Sequence, residues 1–180
     1  MRHFVVVSSL LLSVAACTAE AGPHASAAPA APVVAAKVPA GALGTVFAEA
    51  EALRTALAAD STTLAPITAK LAAATAALAA EPTKHTASDA LTAAAKGLTD
   101  VTAGAVELNA VRAAYGELQK VLVGVVAADA SLQPGRFLFE CPMAKGYQRW
   151  IQVSPQMANP YMGKRMLECG STLEAWKVAG

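Results

Sequence analysis

Charge is scarce in this chain and evenly split, with 14 Lys and Arg against 13 Asp and Glu in 180 residues and a formal net charge of +1. A nucleic-acid surface needs a basic patch or stripe, and that excess is missing. Histidine is scarcer, and its three copies are scattered: His3 near the amino terminus, His24 alone in an Ala/Pro stretch, and His85 between two helical patterns. That scatter leaves no Ser-His-Asp or Cys-His arrangement for nucleophilic catalysis. It also leaves no Glu-x-x-His pair of the kind that builds di-iron bundles. Heme attachment would need Cys-x-x-Cys-His, and a thioredoxin-like centre would need two cysteines close in sequence; neither spacing occurs. The reading is non-enzymatic. Long hydrophobic runs are also missing. The 55% hydrophobic fraction is inflated by alanine, and past the amino terminus no run of eighteen strongly apolar residues predicts a membrane-crossing helix.

What is present begins with an export signal over residues 1–17. Arg2 and His3 form a short positive end, and Phe4 to Leu12 supplies an apolar core too short to span a bilayer. It ends in Val14-Ala15-Ala16-Cys17, a lipobox, whose thiol at Cys17 is the expected lipidation site. Several acyl chains would anchor the protein firmly, where one would hold it marginally. Thr18, in place of Asp, points to the outer membrane, facing the periplasm. An ordinary signal peptide cut after Ala21 or near Ala30 is the alternative. Residues 18–42 carry Pro23, Pro29, Pro32 and Pro39 among Ala, Gly and Ser, a composition that breaks helices and reads as a flexible tether.

From residue 43 the pattern becomes helical. Leu43, Val46, Phe47, Ala50, Leu53 and Leu57 recur at three- and four-residue steps, with Glu49, Glu51 and Arg54 off the stripe. A second stripe runs from Leu64 to Leu78 and stops around Glu81-Pro82. A third spans Ala87 to Val101, with Ser88 or Thr86 as its expected cap. The fourth joins Leu108, Val111, Tyr115, Leu118, Leu122 and Val125, with Asn109 as cap and an end near Asp129. Short connections favour antiparallel neighbours, so the expected fold is mainly α: an up-down four-helix bundle over 43–130, serving as scaffold. His85, in a loop, reads as solvated.

A turn at Ser131–Gly135 leads to a small lobe over 135–180. Phe137–Phe139 and Tyr147–Val153 predict a β-hairpin joined near 144–146. Asn159-Pro160 and Gly170 bracket an expected short helix. Of the three cysteines and five methionines, Cys141, Cys169, Met143, Met157, Met162 and Met166 all fall in this lobe. On a helix, Met162, Met166 and Cys169 would share one face, and Cys141 and Met143 could reach it from the hairpin. Two chemistries remain open. Thiols with thioethers select soft ions, chiefly Cu(I) and then Ag(I). Alternatively, with Cys17 carrying lipid, Cys141 and Cys169 form a disulfide worth about 3 kcal/mol, with the methionines as filler.

Phe139-Glu140-Cys141-Pro142-Met143-Ala144, the Tyr147/Trp150 segment and Asn159-Pro160-Tyr161-x-Gly163-x-x-Met166-Leu167-x-Cys169-Gly170 resemble the DUF3347 family. That family is a bacterial exported domain of unknown function, also fused to copper/silver efflux adaptors of the CusB type. The resemblance covers residues 43–176 as one domain, its specific motifs lying in the lobe. It implies periplasmic handling of Cu(I) or Ag(I) alongside heavy-metal efflux components, with Cys141, Met143, Met166 and Cys169 as the sulfur positions. Met162 lies outside that pattern. The chain has no adaptor segments, so the resemblance implies the domain alone on a lipid tether.

Overall fold

Four helices packed against one another and a small antiparallel sheet make up the fold in a computed structural model that describes residues 35–176. Cys17, the lipobox, His24 and most of the tether lie outside the described residues. Helix α1 spans Gly41–Ala58, α2 Ala65–Ala79, α3 Ser88–Thr102 and α4 Leu108–Ala128. Each packs on its successor in sequence, and α1 touches α4 more sparingly. Leu53, Leu57, Leu64, Leu71, Leu91, Leu98, Leu118 and Leu122 fill the centre. Each contributes about 1.5–3 kcal/mol by leaving water. Small partners such as Ala50, Ala74 and Ala95 sit in the same core.

The helix ends differ from expectation. Asn109 is the second residue inside α4, whose cap position is Glu107, and no side chain bonds there. Neither Thr86 nor Ser88 caps α3. His85, expected to be solvated, is half-buried, and its Nδ1 accepts from the Ala87 N–H at 3.1 Å. The α1 terminus is satisfied from a distance, the Ala42 N–H donating to Glu81 beyond α2 at 3.0 Å. Periodicity locates a helix's buried face, but an end can be satisfied by any nearby acceptor, so local cap signatures miss it.

Strand β1, Phe137–Glu140, lies at the centre of the sheet, in the order β2-β1-β3. The expected hairpin pairs β1 with β2, Arg149–Gln152, so that Phe139 faces Trp150. The third strand, Ser171–Leu173, was not foreseen; it pairs Glu140 with Ser171 and Leu138 with Leu173. The expected short helix over 160–169 is instead a four-residue 3-10 turn, Gly163–Met166.

Sheet and helices share one core. Phe139, Trp150, Tyr161 and Cys141 join the same buried cluster as the helix leucines. Buried polar side chains fasten the two. Arg54, placed off the apolar stripe from sequence, is only 6% exposed; it pairs with Glu51 at 2.8 Å and donates to the Ala158 carbonyl at 3.0 Å. Gln119 of α4 accepts from the Ile151 N–H of the edge strand β2 at 2.9 Å. Arg112 reaches the Pro160 carbonyl at 3.0 Å and Asp60 at 2.5 Å, and Asp60 also accepts from the Lys164 N–H at 3.0 Å. Asp60 adopts a φ of 53°, a left-handed geometry that Asp tolerates. Gly163 faces it with φ 61°, where a Cβ would collide with the Asp60 carboxylate and Arg112.

Desolvation pushes the Asp60 carboxyl up, but the Arg112 hydrogen bond, the Lys164 N–H and the nearby positive charge outweigh it and hold it below the ordinary 3.8. A depressed carboxylate contributes stability that is full above its unfolded value and disappears as pH falls through the lower folded one. Urea unfolding from about pH 6 down to about pH 3 should therefore show a loss of stability in the wild type that is blunted in Asp60→Asn. Superimposable pH profiles would rule out a role for this ion pair in docking the lobe.

Candidate metal centre

Cys141 directly follows β1 and is fully buried. Its backbone is fixed on both sides: its N–H donates to Gln148 at 2.9 Å, and its carbonyl accepts from the Ala144 N–H at 3.0 Å. The second bond closes a turn that places Met143 on the surface, 57% exposed. Cys169 arrives by a different route. The β1–β3 register, extended by one residue, sets Gly170 opposite Cys141. Gly170 has φ 141°, and a Cβ there would lie 2.5 Å from the Glu140 carbonyl oxygen, so only glycine allows the close strand approach that delivers Cys169.

Asn159 holds the other side of the Cys169 loop. It is fully buried. Its Nδ2 donates to the Cys169 carbonyl at 2.6 Å, while its Oδ1 accepts from the N–H groups of Tyr161 at 2.8 Å and Met162 at 3.1 Å. The Asn-Pro signature thus caps a turn as expected, although the turn does not continue as an α-helix. Beneath it, the Tyr161 hydroxyl donates to the Arg149 carbonyl at 2.7 Å. Burial pushes that phenol well above its ordinary value, which keeps it a neutral donor. Its ring meets Trp150 and Tyr115 edge-on, at 5.9 and 5.8 Å between centroids.

The outcome is a sulfur cluster. Cys141 and Cys169 are free thiols with their Sγ atoms 3.7 Å apart, and the Cys169 Sγ lies 3.8 Å from the Met143 Sδ. The disulfide considered from sequence is therefore not formed here, since bonded sulfurs sit about 2.05 Å apart. Bonds of about 2.3 Å, the zinc–thiolate value, would set sulfurs about 4.0 Å apart in a trigonal site and about 3.8 Å apart in a tetrahedral one. The Cys169–Met143 spacing of 3.8 Å falls at the lower edge of that span, and the Cys141–Cys169 spacing of 3.7 Å lies just below it. Among the described residues, no three His, Cys, Asp or Glu side chains gather where a metal could be held. The donor set is thus two thiols and a thioether, which suits soft ions. A hydrogen bond with Cys141, then desolvation, then the charge of Cys141 raise the Cys169 thiol above its ordinary 9.0.

The remaining methionines are placed differently from the helical reading. A 3-10 turn advances three residues per revolution, so Met162 and Met166, four apart, do not share a face. Met162 instead lines a cavity beside Met143. The Met166 carbonyl accepts from the Cys169 N–H at 3.1 Å, and no thiol–thioether hydrogen bond reaches its side chain among the described residues. Met157, unremarked as a ligand from sequence, has its Sδ within 3.3 Å of where a Cβ on Gly170 would lie.

Compared with protein-family models, curated proteins and solved structures, the chain matches none.

Proposed function

We propose that this chain is a non-enzymatic lipoprotein that binds or sequesters a soft monovalent ion, Cu(I) or Ag(I), through Cys141, Cys169 and Met143. The observation that carries the reading is the sulfur triad, with spacings of 3.7 and 3.8 Å and no imidazole or carboxylate among its donors. Met166 is the remaining sulfur position of the DUF3347 resemblance, and among the described residues no sulfur contact joins it to the triad. In this reading the four helices run alternately up and down as an inert support for the lobe. Cys17 carries the lipid that anchors the protein in the outer membrane, facing the periplasm, and heavy-metal efflux components are its partners.

Reduced protein should withdraw Cu(I) from a chromogenic chelator with submicromolar affinity at one ion per chain. Failure to compete would end the metal reading. Replacing Cys17 should move the protein from the membrane to the soluble fraction, and unchanged fractionation would refute lipidation.

A second reading is supported by the thiol contact itself. A shift of under two ångströms would bring the sulfurs to bonding distance, giving a disulfide-stapled interaction module. The two readings differ in the reduced protein, where only the first binds Cu(I).

A further inference from the structure

Met143 touches the Cys169 thiol and also lines a cavity of about 440 Å³. Asn109 and Arg112 from the first turns of α4, Lys145, Tyr161, Met162, Arg165 and Asp60 complete most of the wall. Its charge is unbalanced. Asp60 is occupied by Arg112 and the Lys164 N–H, whereas Lys145 and Arg165 form no ion pair among the described residues. Two unneutralised cations thus share a concave wall with two thioethers, one of them in contact with a thiol.

We propose that this cavity is an anion site that receives the carboxylate-bearing ligand shell of a soft ion presented as an anionic complex. It would thereby select which donors can pass the ion to Cys169 and Cys141. The proposal rests on reading the sulfur triad as a soft-ion centre. A soft ion in solution keeps its own ligands, and a shell of anionic thiols or carboxylated chelators gives the complex net negative charge. Lys145 and Arg165 attract that shell, and the Arg112 guanidinium, held in place by Asp60 and Pro160, presents a fixed edge to it. Met143, exposed and flexible, is placed to take the ion first and hand it to Cys169. The exchange balances without redox change: the ion leaves its donor ligands, the two thiols release two protons to water, and the freed anionic ligands depart.

The test uses the folded protein and its Lys145→Gln/Arg165→Gln double variant, neither substitution removing a sulfur. Stopped-flow transfer of Cu(I) from bicinchoninate, whose complex is anionic, should slow about ten-fold in the variant at low salt, the scale of electrostatic steering. Transfer from neocuproine, whose complex is cationic, should not slow, and the equilibrium Cu(I) affinity should hold. Equal slowing with both donors, or none, overturns the proposal. A second arm needs no metal: bicinchoninate alone, titrated into the apoprotein, should shift the amide resonances of Asn109 and Met162 in the wild type and not in the double variant. If the protein binds no Cu(I) but those shifts appear, the anion site stands and the metal reading falls. If the shifts are missing, the anion site falls whatever the metal does.

Discussion

Asn159→Ala is expected to destabilise the protein by about 3 kcal/mol and to disperse the sulfur cluster. The side chain is fully buried and makes three hydrogen bonds across the Cys169 loop. Alanine leaves the Cys169 carbonyl and the N–H groups of Tyr161 and Met162 without their partners, and each buried unsatisfied group costs about 1–3 kcal/mol. The backbone bonds from Asn159 N–H to Leu167 and from Gly163 N–H to Asn159, at 2.7 and 3.1 Å, survive the change. The loop should therefore loosen without unfolding the helices. Urea denaturation gives the energy, and the rate of disulfide formation with a mild oxidant reports how often the thiols meet. A variant within about 1 kcal/mol of wild type, where ordinary surface substitutions fall, would mean that Asn159 does not hold the loop.

The same residue shows how far the sequence could be read. Asn159-Pro160 announces a capped turn, and the structure contains one, because side-chain oxygen to backbone N–H capping is local chemistry. Whether the turn continues as an α-helix depends on tertiary contacts. Here Gly163 must pass beneath Asp60 and Arg112, and the chain must leave in time to form β3. Helix faces were legible for the same reason: leucine and valine at steps of three and four record what faces the core. Arg54, Arg112 and Gln119 were not, since a charged or amide side chain off the apolar stripe reads as solvated until its distant carbonyl or N–H partner is known. The approach of Cys141 to Cys169 is marked in the sequence by residue type alone. Its physical cause, the three-residue strand Ser171–Leu173, carries only Thr172 and Leu173 as pattern and is too short to stand out. Gly170 was read as a helix stop, whereas its role is to let β3 approach Glu140.

Cys141→Ser and Cys169→Ser should each lower Cu(I) affinity by more than about 100-fold, and Met143→Leu by about ten-fold. Loss of second-shell support alone costs about 10–100-fold, so a thiolate ligand must exceed that range and a thioether can fall within it. The two serine variants should differ in stability. Cys141 is fully buried, so its hydroxyl replacement sits among apolar neighbours and costs about 1–3 kcal/mol, whereas half-exposed Cys169 tolerates the change. Neither should abolish the helical circular dichroism, because Cys141 lies at the end of β1, where the sheet meets the core it shares with the helices, and the leucines packed between α1, α2, α3 and α4 remain in place. The pH dependence has a definite sign. Metal binding needs thiolates, and Cys141 raises the Cys169 thiol above 9.0, so protons compete with the ion throughout the neutral range. Affinity should therefore rise with pH, by up to about 100-fold per unit if binding releases two protons per ion. A ten-fold rise would show that one thiol alone ligates. A flat profile would remove thiolates from the site altogether, leaving the methionines without the partners that make this cluster a place for a soft ion.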